Sequence, residues 1–431
     1  MSKFSFFISL LLVVFISSSC TDNENKPNPV TTNTPNILLI IADDLGKDAI
    51  NGFQEGTIKP TTPTIDAIRN AGLLFSNFWV NPTCTPTRSA IITGKYGYHT
   101  GVKGVGDELQ SSETVIQKYI NDNTNNSYAT AVVGKWHLSG NNASFNPESF
   151  GINYYAGLIR GAVDDYYNWQ LTEDGATRLQ TKYATEVFTD LAIDWIKEQS
   201  KPWFLWLAYN APHTPFHVPP SNMHSQGNLP AYSAGMDATP YYMAAIEAMD
   251  YQIGRFLENL SADERANTII IFIGDNGTPN QVAQSPYTST SVKGTLKQGG
   301  INTPLFISGS GVSKTGTNDN LLTGTDLFTT IAEIAGISVT DYHDSRSFKP
   351  LFSQSAATRD YQYSELKEGT IDSWTISDGI YKLILNSVGN EEMYHLSTDP
   401  YEKVNLLNDT LSAKEQNAKL ALETELIDIR Q

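Results

Sequence analysis

Residues 36–46 read NILLIIADDLG. The run from Ile37 to Ala42 is apolar at every position and ends abruptly in two adjacent carboxylates, Asp43 and Asp44. A strand that is apolar on both faces and rich in Ile and Leu fits the middle of a parallel sheet with helices on each side. The same design returns in YATAVVGKWHL (128–138), WFLWLAYNAPHTPFH (203–217) and TIIIFIGDNG (268–277). In open α/β sheets ligands bind beyond the carboxyl ends of the strands. Each of these four runs delivers polar residues there: Asp43 and Asp44, Lys135 and His137, His213, and Asp275 and Asn276. The expected fold is α/β, with a large central, mostly parallel sheet flanked by helices.

Helices are expected between the strands. YYMAAIEAMDYQIGRFLENL (241–260) puts Ala245, Met249, Ile253 and Phe256 on one side and reads as a core helix. LFTTIAEIAGI (327–337) reads as a helix stopped by Gly336. Beyond it, WTISDGIYKLILN (374–386) and EEMYHLS (391–397) read as two strands of a short antiparallel sheet, and LSAKEQNAKLALETELIDI (411–429) as a terminal helix. This predicts a small C-terminal α+β subdomain over 356–431, after a main domain over 36–355.

The 431 residues, 40% of them hydrophobic, are enough for a large core. A formal charge of −17 argues against nucleic acid as a partner. An anionic substrate would need a locally positive pocket in this acidic body. MSKFSFFISLLLVVFISSSC (1–20) has Lys3 and an apolar run too short for a membrane span, so residues 1–19 read as a signal peptide. The chain could be cut near Cys20 as an ordinary secretory signal. However, SSSC resembles a bacterial lipobox, which would make Cys20 the acylated first residue of a lipid-anchored protein at the cell envelope. The polar stretch 20–35 would then be a flexible tether. Of the two cysteines, Cys84 is left without a disulfide partner.

Adjacent carboxylates at a strand end repel unless they are solvated or share a cation. Asp43, Asp44, Asp275 and Asn276 would form an all-oxygen set if their strands are neighbours, which favours Ca²⁺ or Mg²⁺ over zinc. In CTPTRSAIITGK (84–95), a helix with Pro86 at its first position would turn Cys84 and Arg88 to one side. The start of that helix would also attract an anion. Lys135 and His137, alternating about Trp136, share one face of an extended segment. Arg, Lys and His around a hard cation suit the binding and polarisation of a tetrahedral oxyanion ester.

CTPTRSAIITGK resembles the C-x-P-S/T-R…TG signature of formylglycine-dependent type I sulfatases, a branch of the alkaline phosphatase superfamily. The resemblance extends from Asn36 onward: NILLIIADDLG, TGKYGYHTGV, VGKWHL, NAPHTPF, FIGDNG, KGTLKQGGINTPLFI, TDLFTTIAEIAGI, DSRSFKPLF and MYHLSTDPYEKVNL stand in family order. It implies that a maturation enzyme oxidises Cys84 to formylglycine, whose hydrate is the nucleophile, with Pro86 and Arg88 in the recognition element. It further implies a cation, Ca²⁺ ahead of Mg²⁺, on Asp43, Asp44, Asp275 and Asn276, touching the modified Cys84 and the sulfate. Arg88, Lys135 and Lys293 would neutralise charge. His213, with Lys293, would protonate the leaving group, and His137 would deprotonate the second hydroxyl to release sulfate.

The chain departs from the family's EGGIR pattern at Gln298 and Asn302, and has Thr87 where Ser is commoner. His99 and His217 lie near the motifs and could touch sugar; surface or packing roles are the expectation for them and for His224, His343 and His395. The substrate implied is a sulfated saccharide, with oligosaccharides from ulvan or carrageenan preferred to host glycosaminoglycans. The alternatives are a phosphate or phosphonate monoester hydrolase of the same superfamily, and a non-catalytic lipoprotein that binds sulfated glycan.

Overall fold

The computed structural model describes Met1 and residues 34–431, apart from 141, 143, 144 and 357. Cys20 and nearly all of the leader and tether lie outside the described residues. Thr34–Gln431 is one compact unit.

A ten-stranded sheet organises it. Its strands are β1 (Asn36–Ala42), β2 (Leu73–Phe75), β3 (Ala129–Lys135), β4 (Tyr154–Leu158), β5 (Trp169–Glu173), β6 (Ala176–Gln180), β7 (Trp203–Ala208), β8 (Thr268–Gly274), β9 (Leu305–Gly309) and β10 (Gly316–Asn318). Their order is β10-β2-β9-β8-β1-β7-β3-β4-β5-β6. The four strands read from the sequence, β8, β1, β7 and β3, lie side by side and parallel, and β4 continues the parallel run. Only β9 and β5 reverse direction against them. Ala42 is level with Gly274, Ile41 with Ala208, and Ala208 with Gly134, so the four strands end along one rim.

Uniformly apolar strands are needed because both sheet faces are covered. Leu38, Ile40 and Ala42 face one core, which includes Ile65 and Ile68 of α1 (Pro63–Asn70), Phe188 of α4 (Ala184–Lys197), and Met249, Ile253 and Phe256 of α5 (Thr239–Glu258). Ile37, Leu39 and Ile41 face the other, with Ile91 of α2 (Cys84–Thr93), Ile120 of α3 (Ile116–Asn123) and Phe328 of α6 (Asp326–Ile334). Each fully buried Ile or Leu contributes roughly 1.5–3 kcal/mol. The α/β expectation holds, and Gly336, at φ 88°, follows the end of α6 as expected.

The C-terminal sheet differs in strand count. It has four antiparallel strands, β11 (Gln362–Glu368), β12 (Ile371–Ser377), β13 (Tyr381–Asn386) and β14 (Glu391–His395), rather than two. WTISDGIYKLILN, read as one strand, folds back at Asp378–Gly379, where Asp378 Oδ1 accepts the amides of Ile380 and Tyr381. The strand β11 gave no apolar signal because its buried residues include Gln362, Ser364 and Glu365. Ser364 donates to the carbonyl of Val80, and Gln362 to that of Leu322, so these polar groups tie the small sheet to the main domain. The terminal helix α7 (Ala413–Ile429) starts at a Ser412–Glu415 capping box and buries Leu422 and Leu426 against Ile376, Leu383 and Met393.

Candidate active site

The site forms where β8, β1, β7 and β3 end. Beyond β1 the chain turns at Asp44, at φ 67°, a left-handed conformation that Asp tolerates. The Asp44 amide donates to Asp275 Oδ1 at 3.0 Å, and its carbonyl accepts Tyr242 Oη at 2.6 Å. These bonds lock the two acidic loops together.

Helix α2 begins at Cys84, two residues before the expected start, with Thr83 in extended conformation ahead of it. Thr87 fixes this entry by donating to the Asn81 carbonyl and accepting the Asn81 amide. Cys84 and Arg88 still stand one turn apart, and all ten residues of the helix are buried. The fully buried Arg88 is held from three sides. Nε and Nη2 donate to Asp275 Oδ2 at 3.0 and 2.8 Å, Nη1 donates to the Lys135 carbonyl at 2.8 Å, and Asp43 Oδ1 lies 3.9 Å from Nη2. The equally buried Lys135 puts Nζ 2.5 Å from Asp43 Oδ2. Lys293, partly exposed, brackets the Asp44 carboxylate with Nζ–O distances of 2.5 and 2.6 Å. Three carboxylates thus face three cations, as burial of so much charge requires.

The strand conformation does not carry through to His137, whose φ is 58°. Its ring places Nδ1 3.1 Å from Cys84 Sγ, while Lys135 points to Asp43. His213 Nδ1 lies 2.7 Å from the Thr214 carbonyl, to which it donates, leaving Nε2 3.7 Å from Asp44 Oδ2. Burial pushes the Cys84 thiol up, so an unmodified Cys84 is a protonated thiol and a poor nucleophile. Burial, with Lys135 and Arg88, pushes His137 well down. Burial also lowers His213, against the pull of Asp44. Burial would raise Asp44, but Lys293, His213 and Lys135 outweigh it and hold this carboxyl well below the usual range.

The acidic set fits a cation. Asp43 Oδ1 and Asn276 Oδ1 are buried and accept no hydrogen bond, a cost of roughly 1–3 kcal/mol for each group left unsatisfied. Asn276 Nδ2 donates to Asp44 Oδ1 at 2.8 Å and to the Gly277 carbonyl at 3.0 Å, which fixes the amide's orientation. Ligand atoms of Asp43, Asp44 and His213 lie within 4.8 Å of one another. Asp275 has both oxygens already engaged: Oδ2 accepts Arg88 Nε and Nη2, while Oδ1 accepts the Asp44 amide and retains a lone pair.

The structure brings Asp43, Asp44, Cys84, Arg88, Lys135, His137, His213, Asp275, Asn276 and Lys293 to one place. It adds residues that the sequence did not reveal. Gly161 lies against His137: a Cβ there would come 2.2 Å from the ring. Tyr166 Oη lies 2.8 Å from the Asn210 carbonyl and 2.7 Å from that of His213, and can donate to either. Neither contact follows from a spacing or motif. His217 stacks on Tyr166 at 3.7 Å between ring centroids, with Nδ1 2.9 Å from the Pro215 carbonyl and Nε2 3.1 Å from Tyr183 Oη. Both of its nitrogens are occupied in packing. His99 pairs with Asp344 at 2.8 Å. Asn302 Nδ2 donates to Gln298 Oε1, so the two departures face each other, and the Gln298 backbone N–H donates to Glu402 Oε2 in the C-terminal region.

A family model described as Sulfatase matches residues 35–337, and one described as N-sulphoglucosamine sulphohydrolase, C-terminal, matches 293–431. The uncharacterized sulfatase YdeN of Escherichia coli (strain K12) is 28% identical over 371 residues, covering 72% of this chain and 64% of YdeN. The N-acetylgalactosamine-6-sulfatase of Homo sapiens is 29% identical over 349 residues, covering 70% of this chain and 62% of the human protein. The match thus spans less than two thirds of either relative. The crystal structure of Ps i-CgsB superposes with a TM-score of 0.78 at 25% identity, covering 92% of this chain and 93% of that one.

Proposed function

The chain belongs to the sulfatase family, and from that premise we propose that it hydrolyses sulfate monoesters on saccharides at the Cys84 site. The observation that carries this reading is the head of α2, where a buried cysteine lies 3.1 Å from His137 and one turn from a guanidinium bound to Asp275. A sulfate ester resists attack because its oxygens are negative. Arg88, Lys135 and Lys293 provide fixed positive charge in a low-dielectric site, where it counts for more than in water.

Cys84 is the proposed site of conversion to formylglycine by a maturation enzyme, whose hydrated aldehyde supplies the nucleophile that a buried thiol does not. Asp43, Asp44, Asp275 and Asn276 would hold Ca²⁺, ahead of Mg²⁺, which supplies Lewis-acid charge neutralisation. In its doubly protonated form His213, with Nδ1–H held by Thr214, presents Nε2–H as proton donor to the leaving alkoxide, aided by Lys293. Neutral His137 takes a proton from a hydroxyl at the Cys84 position.

The human N-acetylgalactosamine-6-sulfatase among the relatives supports a sugar substrate. We extend the proposal to oligosaccharides or chain ends from sulfated algal polysaccharides such as ulvan or carrageenan. The net charge of −17 supports short substrates, because long polyanions are repelled outside the positive pocket. The sequence ending SSSC supports a lipid anchor at Cys20 and a place at a bacterial envelope. Protein co-produced with a maturation enzyme should release sulfate from such oligosaccharides, and chelation should abolish the release. Turnover of phosphate or phosphonate esters alone would assign it to the phosphorus-ester branch.

A further inference from the structure

One loop connects the two site histidines. At one end Gly161 lies against the ring of His137, and at the other Tyr166 Oη meets the carbonyl of His213 at 2.7 Å. Residues between and beside these anchors line a cavity of about 450 Å³ that none of the site residues lines, and Arg160, Asp164, Asp165, Asn168 and Gln170 are among its walls. Arg160 is exposed and makes no hydrogen bond, ion pair or ring contact with any described residue, although two aspartates share the cavity. Asp165 is partly engaged, with Oδ1 accepting the Tyr167 amide at 2.7 Å.

The wall chemistry is that of a sugar site. Asp164, Asn168 and Gln170 offer acceptors and amide donors for ring hydroxyls. The unpaired guanidinium has the planar fork that fits a sulfate or carboxylate through two parallel hydrogen bonds. A neutral sugar would leave that cation unused, and a bare anion would leave the acceptors facing like charge. A hydroxylated ring with an anionic group satisfies both.

We propose that this cavity is a second saccharide subsite, and that Arg160 reads a sulfate or carboxylate on the sugar next to the one that loses its sulfate. The inference rests on the sulfatase reading above. Arg160 sets specificity and has no part in the chemical step.

The test uses matured enzyme and matched oligosaccharides of equal length with the same scissile sulfate. The neighbouring sugar is neutral, sulfated or a uronate, which separates the two anion sources. Wild type should show a higher kcat/KM for at least one charged neighbour than for the neutral one. Arg160→Gln should shrink that preference roughly tenfold or more, and Arg160→Lys should retain part of it. An equal preference in wild type and Arg160→Gln would overturn the proposal, as would a wild-type preference for the neutral neighbour. Calorimetric binding of the same compounds to Cys84→Ala gives a readout without turnover. If no sulfate is released from any compound but Arg160→Gln in that background still weakens binding of the charged one, the activity reading fails and the subsite stands. Equal binding with and without Arg160 overturns the subsite.

Discussion

His137 Nδ1 stands 3.1 Å from Cys84 Sγ, joining the residues that follow β3 to the start of α2. Burial keeps the histidine neutral and the thiol protonated, so the pair is arranged for a proton transfer that cysteine itself does not need. His137→Ala should lower kcat by about 10²–10⁴, the range for loss of a positioned base, and KM should fall with it, leaving kcat/KM nearly unchanged. A single-turnover experiment should show the loss in sulfate release rather than in sulfate transfer. Equal loss in both phases would mean that His137 is not the base of the release step.

Gly161 has no room for a side chain, since a Cβ would lie 2.2 Å from the His137 ring. Gly161→Ala should push the ring aside and cost about 10²-fold in kcat, the scale of a 1 Å misplacement. The melting temperature should change little because the loop is at the rim. A fully active Gly161→Ala would show that the ring position is not critical.

His217 is pushed down to about 4, chiefly by burial. Its folded value lies below the unfolded value of about 6.5, so the unfolded chain binds the extra proton first as pH falls. The associated stability is therefore full above about pH 6.5 and is lost on the way down to about pH 4, on the order of 3–4 kcal/mol. Urea unfolding should show wild type weakening over this window and His217→Gln weakening less. Parallel pH dependence in the two proteins would rule out His217 as the source.

Lys382 and Glu402 form a buried ion pair at 2.6 Å, and Lys382 Nζ also donates to the Leu296 carbonyl at 2.5 Å. Glu402 in turn accepts the Gln298 amide at 2.6 Å, so the C-terminal sheet grips the segment that follows Lys293. Lys382→Met strands a buried carboxylate and should cost about 3–5 kcal/mol in urea unfolding. Adding Glu402→Gln should recover part of that loss. If the double variant were worse than the sum of the singles, the pair would not be the coupling unit.

Much of the fold and site is legible in the sequence for a simple reason. Strands buried on both faces must be apolar throughout, and they must stop where the site begins, so Asp43, Lys135, His213 and Asp275 stand out at the ends of such runs. The start of α2 is harder to read because Pro86 suits a first helical position, while the extended Thr83 sets the boundary two residues earlier. Strand β11 stays hidden because buried Ser364 donates to the Val80 carbonyl and buried Glu365 accepts the Tyr98 amide at Oε1, in place of apolar contacts. Gly161 and Tyr166 act through a close approach and a hydroxyl on a carbonyl, which leave no pattern in a single chain.

The most direct test of the sulfatase mechanism is sulfate release from a sulfated oligosaccharide by protein co-produced with a maturation enzyme, read beside an aldehyde-reactive probe on the Cys84 peptide. A formylglycine nucleophile predicts a labelled Cys84 peptide and sulfate release that both vanish in Cys84→Ala. Sulfate release from protein whose Cys84 remains an unmodified thiol would contradict it.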